Sequence, residues 1–424
     1  MDHVVTCFVR NRGEVLLTRR SDRAETYAGR WAGVSGYVEE DNEEAEFDAR
    51  RELREETGFG GTSLRLVRIG ETLAVDDEEG SFVVHPFLFE STTREVRPNE
   101  ELAAVEWADP TAIRDRETVP RLWETWRRVA PRVDDVREDR TNGSAWISAR
   151  ALEVLRDAAV DADDWESVAA VGRELRDARP SMAAVANRVN RVLATAERRP
   201  EAVAAAAVRA LSAAHAANEA SSATLVDRLR DAGATGVATL SRSGTVCECL
   251  REFGPDSVLV AESRPEREGV DVAEAMAEET AAAVTLTTEA AFPAALADGS
   301  VAPDAVVVGA DAVLPDGSVV NKTGTTGLAL AAREAGVPVY VVAARDKVRP
   351  TGDERVVTES SPAEAVYDGE EDVDVFAPTF ERVPGRLVDG LATEDGLLDG
   401  DDARRVAAEH AEHAAWDGRG GSGE

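Results

Sequence analysis

Five apolar, β-rich runs, "GVATLS" (236–241), "SVLVAES" (257–263), "AVTLTT" (283–288), "AVVVGAD" (305–311) and "VPVYVVAAR" (337–345), alternate with helical segments such as "TGLALAAREAG". No other feature limits the fold as tightly. Strands that are apolar along their whole length must be covered on both faces, which makes a parallel sheet with crossover helices, a doubly wound α/β domain. Ahead of it, from Ala145 to about Arg230, alanine-rich segments such as "AVAAAAVRALSAAHAA" keep helical spacing and read as a helical subdomain. Earlier still, Val4 to about Val133 mixes short strands with two helices. "VVTCFVR" and "EVLLTRR" flank the turn "NRG" as a hairpin, "SLRLVRIGETLAV", "SFVVHPFLFES" and "LAAVEW" read as later strands, and a helix runs from about Glu43 to Thr57. The expected division is a domain at 1–133, a linker at 134–144, a domain at 145–400 (helical 145–230, doubly wound 231–400) and an acidic tail at 401–424.

Composition decides which functions to exclude. The chain has 82 Asp plus Glu against 48 Lys plus Arg, a net charge of −34, and only two lysines, Lys322 and Lys347. Phosphate backbones demand basic patches, so no nucleic-acid binding is expected. Such acidity with lysine avoided reads as a cytoplasmic protein of a salt-accumulating archaeon. A disordered acidic chain does not fit, because 43% of the residues are hydrophobic and they recur in ordered patterns. No apolar run is long enough for a membrane span, and "MDHVVTCFVRNRGEVLL" lacks the features of a signal peptide. Cys7, Cys247 and Cys249 are too few for a disulfide framework.

Against this background "RRELREETGF" (50–59) still stands out. Glu52, Glu55 and Glu56 fall within an arc of roughly 100° on one helix. Like charges at that spacing cost roughly 0.2 to 0.5 kcal/mol per pair unless a cation faces them. The larger pattern "GYVEEDNEEAEFDARRELREETGF" resembles the box of the Nudix hydrolases: Arg51, Glu52, Leu53, Glu55, Glu56, Gly58 and Phe59 all match. The upstream glutamate falls at Glu43, while Gly36 lies one residue too far away, which implies a one-residue insertion in the loop. The resemblance implies an α/β/α sandwich that cleaves nucleoside diphosphate derivatives. Glu52, Glu55 and Glu56 would ligate Mg²⁺, or Mn²⁺ in its place, one of them would act as the general base, and Arg51 would orient a glutamate. Tyr27, Trp31, Phe82 and Phe87 are candidates to stack on a base, with core packing the commoner fate of such residues.

A second constellation lies in "VVVGADAVLPDGSVVNKTGTTGLALAAREAGVPVYVVAARDKV". A strand ending at Asp311, followed by Asn321, Lys322 and a helix N-terminus, suits a phosphate ester at the carboxyl edge of a parallel sheet. With "ARPSMAAV" (Arg179), "TLSRSGTV" (Ser241), "AESRPEREG" (Arg264) and "FERVPGRLVDGLATEDG", this stretch resembles the initiation factor 2B alpha/beta/delta family. That family includes ribose-1,5-bisphosphate and methylthioribose-1-phosphate isomerases. The resemblance implies a helical subdomain plus a Rossmann-like domain, a sugar-phosphate or nucleotide ligand and a homo-oligomer of two or more copies. Asp311 carries over as a catalytic residue, and Arg179, Ser241, Arg264, Asn321 and Lys322 are the expected substrate-binding residues. Ser241 stands where the isomerases have a cysteine, and a hydroxyl ionises far less readily than a thiol. The arginine-glycine-alanine phosphate motif is changed to Asn142-Gly143-Ser144.

Three functions are therefore in view: a hydrolase joined to a sugar-phosphate-binding domain, a nucleotide-sensing regulatory protein, and an isomerase using Asp311 with Ser241 or a neighbouring cysteine. Cys247 and Cys249 read as small buried hydrophobes, and His410 and His413 as part of a solvated tail helix. His85 and His215 have no partner evident from the sequence.

Overall fold

Two residues with left-handed backbone, Arg12 (φ 52°) and Gly13 (φ 82°), close the first hairpin with the turn that matches the strands' own twist. They join β1 (Asp2–Asn11) to β2 (Glu14–Arg20) in the computed structural model, which describes residues 1–39, 45–298, 301, 303–354, 356 and 359–418. The chain forms two units, Met1–Arg132 and Val133–Glu424.

In the first unit, β1 and β2 join β3 (Trp31–Ala32), β4 (Val34–Tyr37), β5 (Leu64–Ile69), β6 (Leu73–Asp77), β7 (Gly80–Ser91) and β8 (Leu102–Ala108) in a mixed sheet. Alternate residues of β1 face opposite sides, as pleating requires. Val5, Cys7 and Val9 pack with Ala45, Ala49 and Leu53 of α1 (Ala45–Thr57), while Phe8 packs with Trp126 and Val129 of α2 (Leu122–Val129). The result is a sandwich with β4 beside β1, Gly36 opposite Val5 and Val34 opposite Cys7. "SLRLVRIGETLAV" is two strands rather than one, broken at Gly70, where a Cβ would come within 2.9 Å of Val129.

The second unit begins with α3 (Val133–Glu138), α4 (Ser144–Asp161), α5 (Trp165–Ala178), α6 (Ala183–Thr195) and α7 (Pro200–Asp231) around a core that includes Leu152, Leu155 and Val189. There follow β9 (Gly236–Leu240), α8 (Gly244–Phe253), β10 (Ser257–Ala261), α9 (Glu268–Glu279), β11 (Ala283–Thr287), α10 (Phe292–Ala297) and β12 (Ala305–Val308). After the hairpin β13 (Ala312–Val313) and β14 (Val319–Lys322) come α11 (Thr325–Ala335), β15 (Val339–Val342), β16 (Phe380–Val383), β17 (Gly390–Thr393), β18 (Gly396–Leu398) and α12 (Gly400–Ala414). The main sheet runs β11-β10-β9-β12-β15-β17-β18, parallel except for the last strand, and β13, β14 and β16 form a small antiparallel sheet. The strand order reverses between β9 and β12, so the carboxyl ends of those two strands flank a crevice.

Two expectations are corrected. The segment 134–144 is not simply a linker: it starts within α3, whose Val136 is fully buried in the helical core. Nor is 401–418 a solvated tail. Ala403, Val406, Ala407 and His410 recur at i, i+3, i+4 and i+7, the stripe of an amphipathic helix, and α12 buries them. His410 Nδ1 lies 2.7 Å from the carbonyl of Val348, and the indole of Trp416 donates to Asn190. His85 also has a partner, His3, at 2.8 Å. Glu43, the expected start of α1, and 419–424 lie outside the described residues. No helix among the described residues is long and apolar enough to cross a membrane.

Candidate functional site

Gly36 explains how α1 can lie against β4. A Cβ at that position would stand 2.1 Å from the carboxyl carbon of Glu52, so glycine leaves the room in which that carboxylate turns inward. The glycine thus does its work one position from where the spacing put it. Arg51 ties the same two elements together: its guanidinium bonds the carbonyl of Tyr37 (3.1 Å), Asp48 (2.9 Å), Glu39 (2.6 Å) and Glu52 (2.9 Å).

Glu52 is largely enclosed and Glu56 is buried, while Glu55 is exposed on the helix. Burial pushes the Glu52 carboxyl up to about 7, against the pull of Arg51 and with a further push from Glu55 and Glu101. Burial, then Glu52, push Glu56 up to about 8, with Arg20 opposing. Glu101 acts on both carboxyls from outside the motif, and sequence spacing offered no signal for it. Cys7 lies beneath, its thiol raised by burial and then by Glu56 and Glu52.

Among the described residues no three His, Cys, Asp or Glu side chains are already grouped to hold a metal ion. The donor chemistry nevertheless fits a hard divalent cation: the groups are all carboxylates, and burial drives two of them toward protonation, a cost that a cation would relieve. Beside Gly36 a cavity of about 80 Å³ is lined by Tyr27, Phe82 and Arg20. Trp31 instead packs under Arg116, and Phe87 is stacked on Phe89 in the core.

In the second unit the crevice between β9 and β12 opens into a cavity of about 590 Å³. Arg179, Ser241, Asp311, Asn321 and Lys322 all line it, so the sequence candidates converge. Arg264 does not: the Arg264 N–H is held by Glu289 (3.2 Å) and its exposed side chain faces Glu262 (3.3 Å). Glu266 and Glu268, which follow it, line the cavity instead.

Ser241 sits directly after β9 with left-handed backbone (φ 62°) and donates to Glu268 at 3.2 Å. Lys322 Nζ is 2.9 Å from both Glu266 and Glu268, which hold the ammonium above its ordinary range against the effect of burial. The N-terminus of α11, expected to take a phosphate, already has an anion: Glu381 accepts from the backbone N–H groups of Gly324 (2.8 Å) and Thr326 (2.9 Å). Asn321 is also turned inward, donating to Thr325 at 3.0 Å.

The sequence reading missed Lys347. The chain's only other lysine lines the same cavity, almost fully buried. Burial pulls its ammonium down to about 8, with Asp311 opposing, and burial raises Asp311 against the pull of Lys347, Lys322 and Arg179. A carboxyl that burial pushes up and an amine that burial pulls down, lining one cavity, suit proton transfer. The loop is pinned from α6: Asn187 donates to the carbonyls of Asp346 (2.8 Å) and Val348 (2.7 Å), and Arg188 and Arg191 bond Asp346.

Comparisons with known proteins agree with the two-unit architecture. A model of the Initiation factor 2 subunit family matches residues 140–400, and a NUDIX domain model matches residues 2–129. The chain is 32% identical over 291 residues to a ribose 1,5-bisphosphate isomerase of Haloferax volcanii, spanning 64% of this chain and 87% of that protein. To a ribose 1,5-bisphosphate isomerase of Haloterrigena turkmenica it is 33% identical over 301 residues, spanning 63% and 90%. The translation initiation factor eIF-2B of Pyrococcus horikoshii OT3 shares the fold with a TM-score of 0.54 at 23% identity, over 63% of this chain and 94% of that one.

Proposed function

The chain belongs to the Initiation factor 2 subunit family and carries a NUDIX domain ahead of it, and from that premise we propose a two-part enzyme. The first unit hydrolyses the diphosphate of a nucleoside diphosphate derivative such as ADP-ribose, and the second binds a sugar phosphate or nucleotide. Glu52, held against Gly36 by Arg51, and the buried Glu56 one turn on carry the first half of this reading. Glu52, Glu55 and Glu56 would hold Mg²⁺ or Mn²⁺, which supplies charge neutralisation and an activated water when bound. Arg51 fixes the angle of Glu52, Gly36 lets the helix approach, and Tyr27 and Phe82 offer the base or sugar an aromatic wall.

For the second unit, the convergence of Arg179 and Lys347 on one cavity supports an anionic ligand. The opposed shifts of Asp311 and Lys347 favour a second reading, aldose–ketose isomerisation, whereas Ser241 in place of a thiol favours binding without turnover. Family membership supports a homo-oligomer.

The test is a panel of nucleoside diphosphate derivatives incubated with Mg²⁺ in concentrated KCl, with products identified by mass spectrometry. Cleavage that is lost in Glu56→Gln supports the hydrolase. Nucleotide bound by folded protein and never cleaved would favour a sensor.

A further inference from the structure

The cavity of the second unit has two walls of opposite chemistry. On one side Arg140 to Gly143 run into α4, whose N-cap Gly143 leaves the first turn without a side-chain cap. Arg179 and Arg242 are bound to this wall, to the carbonyls of Asp139 and Thr141 respectively. Arg179 is only 4% exposed and its Nε has no hydrogen-bond partner, although Glu359 stands 3.8 Å from its Nη2. A buried guanidinium with a spare donor, beside open helix amides, is an anion site.

The opposite wall is already supplied with anions. Lys322 faces two carboxylates, Glu266 and Glu268, each 2.9 Å from its ammonium, and Glu381 occupies the amides of α11. Glu268 also accepts from Ser241, and Glu266 from Ser361 at 3.0 Å. One ammonium against two carboxylates leaves this wall net negative. A phosphate placed there would meet like charge, whereas hydroxyls would find acceptors.

Resting on the reading of this cavity as a phosphate-ester site, we propose that it takes a phosphomonoester with a single phosphate, a sugar or nucleoside monophosphate. The phosphate sits on the Arg179–Gly143 wall, the hydroxyls face Glu266 and Glu268, and bisphosphates are rejected. This differs from what the bisphosphate in the relatives' name would suggest. The volume suits a small polar ligand. Cleavage of a nucleoside diphosphate ester at its anhydride yields two phosphomonoesters, so the reaction proposed for the first unit supplies ligands of this class.

The test is calorimetric titration of the full-length chain with ribose 5-phosphate and with ribose 1,5-bisphosphate. The native protein should bind the monophosphate about tenfold or more tighter than the bisphosphate. The double variant Glu266→Gln/Glu268→Gln should close that gap by strengthening bisphosphate binding, and Arg179→Ala should weaken monophosphate binding. If the double variant fails to fold, either single glutamine should move the ratio in the same direction. Bisphosphate bound as tightly as monophosphate by the native protein, or a ratio unmoved by the glutamines, overturns the single-phosphate assignment while leaving the cavity a phosphate-ester site. Failure of both compounds and of nucleoside monophosphates to bind overturns the site itself.

Discussion

Replacing Lys347 by methionine should change how stability depends on pH, and the size of the change follows from the cavity. Lys347 is 3% exposed, and burial lowers its ammonium from an ordinary 10.5 to about 8, with Asp311 acting in the opposite direction. Between about pH 8 and 10.5 the unfolded chain keeps a proton that the folded chain has released, so the free energy of unfolding rises with pH in that window. One proton is worth about 1.4 kcal/mol per pH unit, so the native protein gains about 3 kcal/mol across it. Below about pH 8 both states are protonated, and the cost of the buried charge is present in full.

Lys347→Met carries no proton, and other titrating groups are common to both proteins. The stability of native protein minus that of the variant should therefore climb by about 3 kcal/mol from pH 8 to 10.5. The slope is diagnostic rather than the offset at neutral pH, because Asp311 loses a neighbouring cation in the variant. Urea titrations at fixed KCl, read by hydrogen-exchange mass spectrometry on peptides of the second unit, measure the difference. A flat difference, or one that falls with pH, would refute the assignment of Lys347 as a buried, readily deprotonated amine.

Three other substitutions test separate contacts. Gly36→Ala should push the Glu52 carboxylate out of line and slow diphosphate cleavage roughly 100-fold, with melting little changed because the displaced group is a flexible side chain; wild-type rates would refute the role given to Gly36. His410→Ala removes the contact to the Val348 carbonyl and should destabilise the second unit by about 1 to 3 kcal/mol, whereas a solvated tail residue would leave thermal unfolding unmoved. Ser241→Cys places a thiol next to Glu268 at the end of β9, and aldose–ketose conversion of a ribose phosphate, followed by NMR, should rise above that of the native protein; no rise would mean that Ser241 is not what limits isomerisation.

The parts of the fold that periodicity encodes were legible. The β-rich runs became β9, β10, β11, β12 and β15, the turn at Arg12–Gly13 closed its hairpin, and Arg179, Ser241, Asp311, Asn321 and Lys322 met at the switch point of the sheet. What sequence spacing did not carry was the contact made across the fold. Glu381 reaches the amides of α11 from a strand 55 residues downstream of Thr326, so the helix N-terminus looked open when it was filled. Arg264 and Glu268 are four residues apart, and only the loop's hydrogen bonds to Glu289 decide which of them faces the cavity.

Lys347 is different, because its signal was present in the composition. A chain that meets nearly all its need for positive charge with arginine has no electrostatic reason to keep two lysines. Surface pairing, bidentate carboxylate contacts and solubility are all served by a guanidinium, which stays charged throughout the accessible pH range. An amine differs in being able to lose its proton when buried, and in presenting a compact charge that fits where a planar fork does not. Both exceptions, Lys322 and Lys347, line one cavity, the first held charged by two glutamates and the second lowered by burial to about 8 against the pull of Asp311. Under strong compositional pressure, the residue that resists it marks the place where its own chemistry is needed, and here that place is the carboxyl edge between β9 and β12.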